Sequence, residues 1–132
     1  MINTVSYSYE RVGKRFLPII PVAIKNKDKL IETAAYIDSG ASVSVFNTIM
    51  AEILGIDYKK GKVIYPRGTA GKIKAYSVET ILIVANKEIR SEVLFSNELA
   101  TKFNLIGLKG VFDAFKVTFD NRNKKITFTE NR

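Results

Sequence analysis

The chain has 132 residues, with 21 Lys and Arg against 13 Asp and Glu and a formal net charge of +8. It contains no Cys, His or Trp, which excludes disulfides, reactive thiols, Ser-His-Asp and Cys-His machinery, and zinc sites built from Cys or His. The length predicts a single domain over residues 1–132 that buries a core without a covalent staple.

In chain order, Met1 to Glu10 lacks the basic start and apolar centre of a signal peptide. Val5, Tyr7 and Tyr9 alternate with polar residues there, the pattern of a strand with one buried face. Phe16 to Ile24 is apolar and rich in strand formers, and Pro18 and Pro21 place it at a sheet edge. Asn26 to Lys29 is a turn, and Leu30 to Ile37 is strand-like, ending in Asp38-Ser39-Gly40-Ala41. After Val43 to Phe46, Asn47 or Thr48 caps a short helix that runs through Leu54 and is closed by Gly55.

Val63 to Tyr65 leads into Pro66-Arg67-Gly68-Thr69-Ala70-Gly71, and Ile73 to Val84 is a long strand, so the segment reads as a hairpin with a pliant tip. Asn86-Lys87 turns the chain into Glu88 to Phe95. Leu108 to Ala114, preceded by Asn104 to Gly107, has the length of a two-turn helix. Phe115, Val117 and Phe119, then Ile126 and Phe128, alternate across a turn at Asn121 to Lys124 as a terminal hairpin. The whole is all-β and barrel-like, with one or two short helices. No apolar run approaches the ~20 residues of a membrane span, and the expectation is a cytoplasmic protein with no membrane partner.

The basic residues group as Lys25/Lys27/Lys29, Lys59/Lys60/Lys62 and Lys124/Lys125, each beside a turn signal. Such a charge can attract polyanions, but a solvated lysine surface is favoured over nucleic-acid binding. Without His or Cys, proton transfer falls to five Asp, eight Glu and the Lys and Tyr side chains. Asp28 and Asp57 lie at turns, Asp113 in the expected helix and Asp120 at a hairpin mouth. Asp38 differs, because apolar strands stand on both sides of it and small residues follow it. That arrangement delivers a carboxylate from the barrel interior into a loop tight enough for close backbone approach. Ordinary turn chemistry of Asp-Ser-Gly is the competing reading.

Ala35-Tyr36-Ile37-Asp38-Ser39-Gly40-Ala41 resembles the active-site segment of the retropepsin-type aspartic proteases, single-domain relatives of pepsin. Leu105-Ile106-Gly107 resembles their downstream apolar-apolar-Gly element, Phe112 to Asp120 the strand that follows, and Tyr65 to Tyr76 their flap. The likeness runs from about Leu17 to Phe128 in the family's order. It implies a small closed acid-protease barrel with a flap hairpin, acting as an aspartic endopeptidase on extended peptides without metal or cofactor.

Two carboxylates sharing a proton can act as base and acid together, whereas one cannot. The chain has one Asp-Ser-Gly, so the reading is a homodimer in which the Asp38 carboxylates of two subunits meet on the two-fold axis. The resemblance further implies that Ser39 locks the two loops together, Gly40 presents its carbonyl to the substrate, and Ala41 lines a subsite. Gly68, Thr69, Ala70 and Gly71 close over the peptide as the flap tip, and Ile106 and Gly107 pack beneath the catalytic loop. Ser42 and Leu108 depart from the family, whose retroviral members commonly carry an acid and an Arg there. The alternative is a non-catalytic β-barrel that binds peptides or nucleic acid.

Overall fold

A computed structural model describes residues 3–68, 71–99 and 102–132. The expected strand near the N-terminus is β1 (Thr4–Ser8), followed by β2 (Glu10–Val12), β3 (Arg15–Leu17), β4 (Ile19–Asn26), β5 (Lys29–Ile37) and β6 (Ser44–Asn47). Helix α1 (Thr48–Leu54) and a single 3-10 turn (Tyr58–Lys60) precede β7 (Lys62–Ile64), β8 (Arg67–Gly68), β9 (Gly71–Lys72), β10 (Ala75–Val84) and β11 (Lys87–Ser96). The chain ends with β12 (Asn104–Ile106), β13 (Phe115–Asp120) and β14 (Lys125–Glu130).

Six strands close on themselves in the order β11, β6, β12, β5, β4, β10 and back to β11. The hairpins β4–β5 and β10–β11 are antiparallel, whereas β12 lies parallel to β5 and β6 parallel to β11. Strand β10 is long enough to serve two neighbours along one edge. Its first residues pair with β7 and its later ones, Ile81 to Ile83, with β4. The expected all-β barrel is therefore the architecture observed. Among the described residues no helix is long and apolar enough to cross a membrane.

Alternating side chains fill the barrel. Ile20, Ile24, Ile37, Phe46, Leu82, Val93, Phe95 and Ile106 are fully buried, as expected when each strand turns one face to a common interior. A second, three-stranded sheet runs β1, β14, β13 and joins the same core through Ile126 and Phe128. The Phe128 ring meets Phe115 edge-on with 5.5 Å between centroids and Tyr7 with 6.0 Å, a favoured aromatic geometry.

Local signals hold where chemistry is local. Asn47 Oδ1 accepts the Ile49 amide at 3.0 Å, and Gly55 ends α1 in the left-handed region at φ 71°. Two expectations are corrected, and one element was not foreseen. The Phe16 to Ile24 segment is not an edge strand: it splits into β3 and β4, and β4 is interior, paired with both β5 and β10. Its pairing with β10 begins only at Ala23, so Pro21 stands where no second neighbour needs an N–H. The β2–β3 hairpin, turned at Gly13 with φ 62°, was not expected as a separate element.

The expected helix over Leu108 to Ala114 is an irregular turn, because Gly110 takes φ 83° and Lys109 an extended ψ of 126°. This turn is tied to β11, where Glu92 accepts from Lys109 Nζ at 2.7 Å and from Ser77 Oγ. Those bonds, Lys109 first and then Ser77, hold the Glu92 carboxyl below the ordinary glutamate range. A carboxyl more acidic in the folded than in the unfolded chain stabilises above the unfolded value. That contribution disappears as pH falls through the folded one. Denaturation midpoints measured from neutral pH down to strong acid should therefore show a shallower acid loss in Glu92→Gln than in wild type. An unchanged slope would show that the Lys109 bond adds nothing.

Candidate active site

Strand β5 carries Asp38 out of the core. Ile37 is buried, and the Asp38 amide donates to the Ile106 carbonyl at 2.9 Å, one residue past the β5–β12 ladder. The chain then folds back on itself. Ala41 N donates to the Asp38 carbonyl at 3.1 Å, and Gly40 N donates to Asp38 Oδ1 at 2.8 Å. Gly40 suits this turn, since a Cβ there would sit 3.1 Å from that carboxylate oxygen.

Ile106 and Gly107 form the platform under the loop. The Gly107 amide donates to the buried Ser44 hydroxyl at 3.0 Å. Leu108 N donates to the Ala41 carbonyl at 2.8 Å and Lys109 N to the Ser42 carbonyl at 3.0 Å. A Cβ at Gly107 would lie 2.7 Å from the carbonyl oxygens of Ala41 and Val43, so backbone approaches backbone as only glycine allows. Leu108 and Ser42, the two departures from the retroviral pattern, hold this contact through main-chain bonds alone.

Asp38 is half-buried, and Ser39 and Gly40 are exposed. Asp38 and Ser39 open onto a cleft of about 620 Å³ whose remaining walls are Tyr9, Tyr36, the β2–β3 hairpin and the β13–β14 turn. Among the described residues Asp38 is the one acid lining it, beside Lys14, Arg15 and Lys124. The Ser39 hydroxyl makes no hydrogen bond among the described residues, so the local turn bond open to it is not formed. Of the other aspartates, Asp28 lies in the β4–β5 turn and the remaining three are engaged elsewhere. Asp57 pairs with Lys60 at 3.6 Å, Asp113 accepts from Gly110 N, and Asp120 accepts from Asn123.

The flap candidates are brought together only in part. β7 and β10 form the arms, and Gly68 pairs with Gly71 across β8 and β9. Thr69 and Ala70 lie outside the described residues. Neither Gly40, Ala41 nor any described flap residue lines the cleft. Lys14, Arg15, Phe16, Phe119 and Lys124 were not among the sequence candidates, although Gly13 and the lysine pair Lys124/Lys125 mark the two turns that supply them.

No protein-family model and no curated protein matches the chain by sequence. Solved structures do resemble it. A retropepsin-like aspartic protease from Rickettsia conorii aligns over 98% of this chain and 93% of that one, at 16% identity and a TM-score of 0.70. The EIAV protease, complexed with the inhibitor HBY-793, aligns over 74% of this chain and 88% of that one, at 17% identity and a TM-score of 0.54. Both align over most of the chain with few residues in common, so what the likeness establishes is the backbone: the chain has the fold of the retropepsin-like aspartic proteases.

Proposed function

We propose that residues 1–132 form an aspartic endopeptidase domain, active as a symmetric homodimer that hydrolyses extended peptides with the Asp38 carboxylates of two subunits. The observation that carries this reading is Asp38 itself, half-buried at the wall of a cleft on a loop fixed by main-chain bonds to Ile106, Leu108 and Lys109. One Asp38, ionised, takes a proton from water as its oxygen attacks the scissile carbonyl carbon. The other, protonated, donates to the carbonyl oxygen, giving a gem-diol. Collapse returns a proton to the leaving nitrogen, breaks the C–N bond and releases an acid and an amine.

In this reading Ser39 links the two loops, Gly40 offers its carbonyl to the peptide main chain, and Ala41 lines a subsite. The tip Gly68, Thr69, Ala70 and Gly71 closes over the peptide and donates backbone hydrogen bonds. The test is hydrolysis of extended peptides followed against pH. Because one proton serves two carboxylates, the rate should pass through a maximum on the acid side of neutrality. A rate climbing steadily from about pH 5 to pH 9 would point to a lysine or a metal-bound hydroxide instead. No hydrolysis at any pH would favour the non-catalytic barrel.

A further inference from the structure

We infer that the cleft beside Asp38 receives acidic side chains of the substrate, and that Lys14, Arg15 and Lys124 select them. The inference rests on the protease reading above and names the substrate class of that same site. Gly13 and Lys124 take positive φ, at 62° and 56°, and the Lys124 carbonyl accepts the Tyr9 amide at 2.8 Å. Two tight turns thus present the three cations to one cleft. None of the three forms an ion pair among the described residues. Asp120, on the neighbouring hairpin, is held by Asn123.

A neutral peptide would leave the three cations that line the cleft without an anionic partner on the substrate. A peptide with Asp or Glu beside its scissile bond pairs them, and exposed pairs of this kind each raise affinity by up to about five-fold. The charge of the flap region acts in the same direction. Residues 58–78 carry Lys59, Lys60, Lys62, Arg67, Lys72 and Lys74 and no Asp or Glu. Nearby acids offset only part of this: Asp57 pairs with Lys60, and Glu98 lies beside Lys74. An anionic peptide is thus drawn toward both the cleft and the hairpin proposed to close over it. Phe16 and Phe119, 46% and 39% exposed, supply apolar walls for the stems of such side chains.

The experiment compares two uncleavable extended peptides, identical but for Glu or Gln on either side of a central apolar pair. Fluorescence anisotropy reads their binding to wild type and to Asp38→Asn, with turnover of the cleavable versions measured alongside. The Glu peptide should bind about ten-fold tighter at low salt, and less so as ionic strength rises. The Glu-to-Gln ratio should fall toward one in the triple variant Lys14→Gln/Arg15→Gln/Lys124→Gln, and part of the way in each single variant. Equal binding of the two peptides to wild type would overturn the inference. A Glu preference without turnover would uphold the cleft's selectivity and overturn the protease reading. A single-stranded oligonucleotide that displaces the Glu peptide and binds tighter, through the same three cations, would overturn the peptide assignment in favour of nucleic acid.

Discussion

Mixing wild-type chain with a nine-fold excess of Asp38→Asn should lower activity per wild-type chain about ten-fold, because each wild-type subunit then meets a wild-type partner only about one time in ten. The arithmetic requires that a mixed dimer with one Asp38 be inactive, as it must be if base and acid are two separate carboxylates. Asparagine keeps the side chain's shape and one carbonyl oxygen in place of Oδ1, so the bond from the Gly40 amide at 2.8 Å can persist. Folding and assembly should survive while turnover collapses. Total protein must be well above the dimer dissociation constant, and a size measurement on the mixture confirms that exchange is complete. Undiminished activity per wild-type chain in a fully exchanged mixture would place the whole site within one chain and end the shared-dyad mechanism.

The second large effect is Gly107→Ala. Gly107 has an ordinary extended backbone, φ −105° and ψ −172°, so alanine is not strained by its dihedrals. It is strained by space, since the added Cβ would lie 2.7 Å from the Ala41 and Val43 carbonyl oxygens, far inside van der Waals contact. These are main-chain atoms of the loop that carries Asp38, and they cannot rotate away as a side chain would. The expected loss is about 3 kcal/mol, near the upper end for overpacking, or roughly 10 °C in melting temperature. Turnover should fall further than stability, because any shift of Ile106 also moves the carbonyl that accepts the Asp38 amide. A melting temperature equal to that of wild type would show that the platform yields freely and does not position the loop.

The loop that carries Asp38 was legible in residues 38–41, because its signals are short-range. Ile37 and Val43 bracket the loop with strand residues, and Asp-Ser-Gly is turn chemistry that a core strand seldom contains. The caps of α1 at Asn47 and Gly55 and the terminal hairpin were legible for the same reason, since capping and alternation are properties of a few neighbouring residues. The all-β character followed from the many short alternating segments.

What neighbouring residues could not decide was which strand lies beside which. Pro21 reads as an edge residue by its missing N–H, yet β4 is interior because β10 reaches it only from Ala23 onward. The helical length of Leu108 to Ala114 gave way to a turn broken at Lys109 and Gly110, where the Leu108 and Lys109 amides donate to the Ala41 and Ser42 carbonyls and the Lys109 side chain to Glu92. The cationic cleft is the plainest case. Lys14, Arg15 and Lys124 are ordinary turn lysines and arginine along the chain, and only the packing of two distant hairpins sets them beside Asp38. Chain order therefore determined Asp38 and its loop, local conformation being set by contacts a few residues apart. Tertiary structure decided what surrounds Asp38, because the walls of the cleft are brought together by long-range pairing and burial, which no short stretch of sequence encodes.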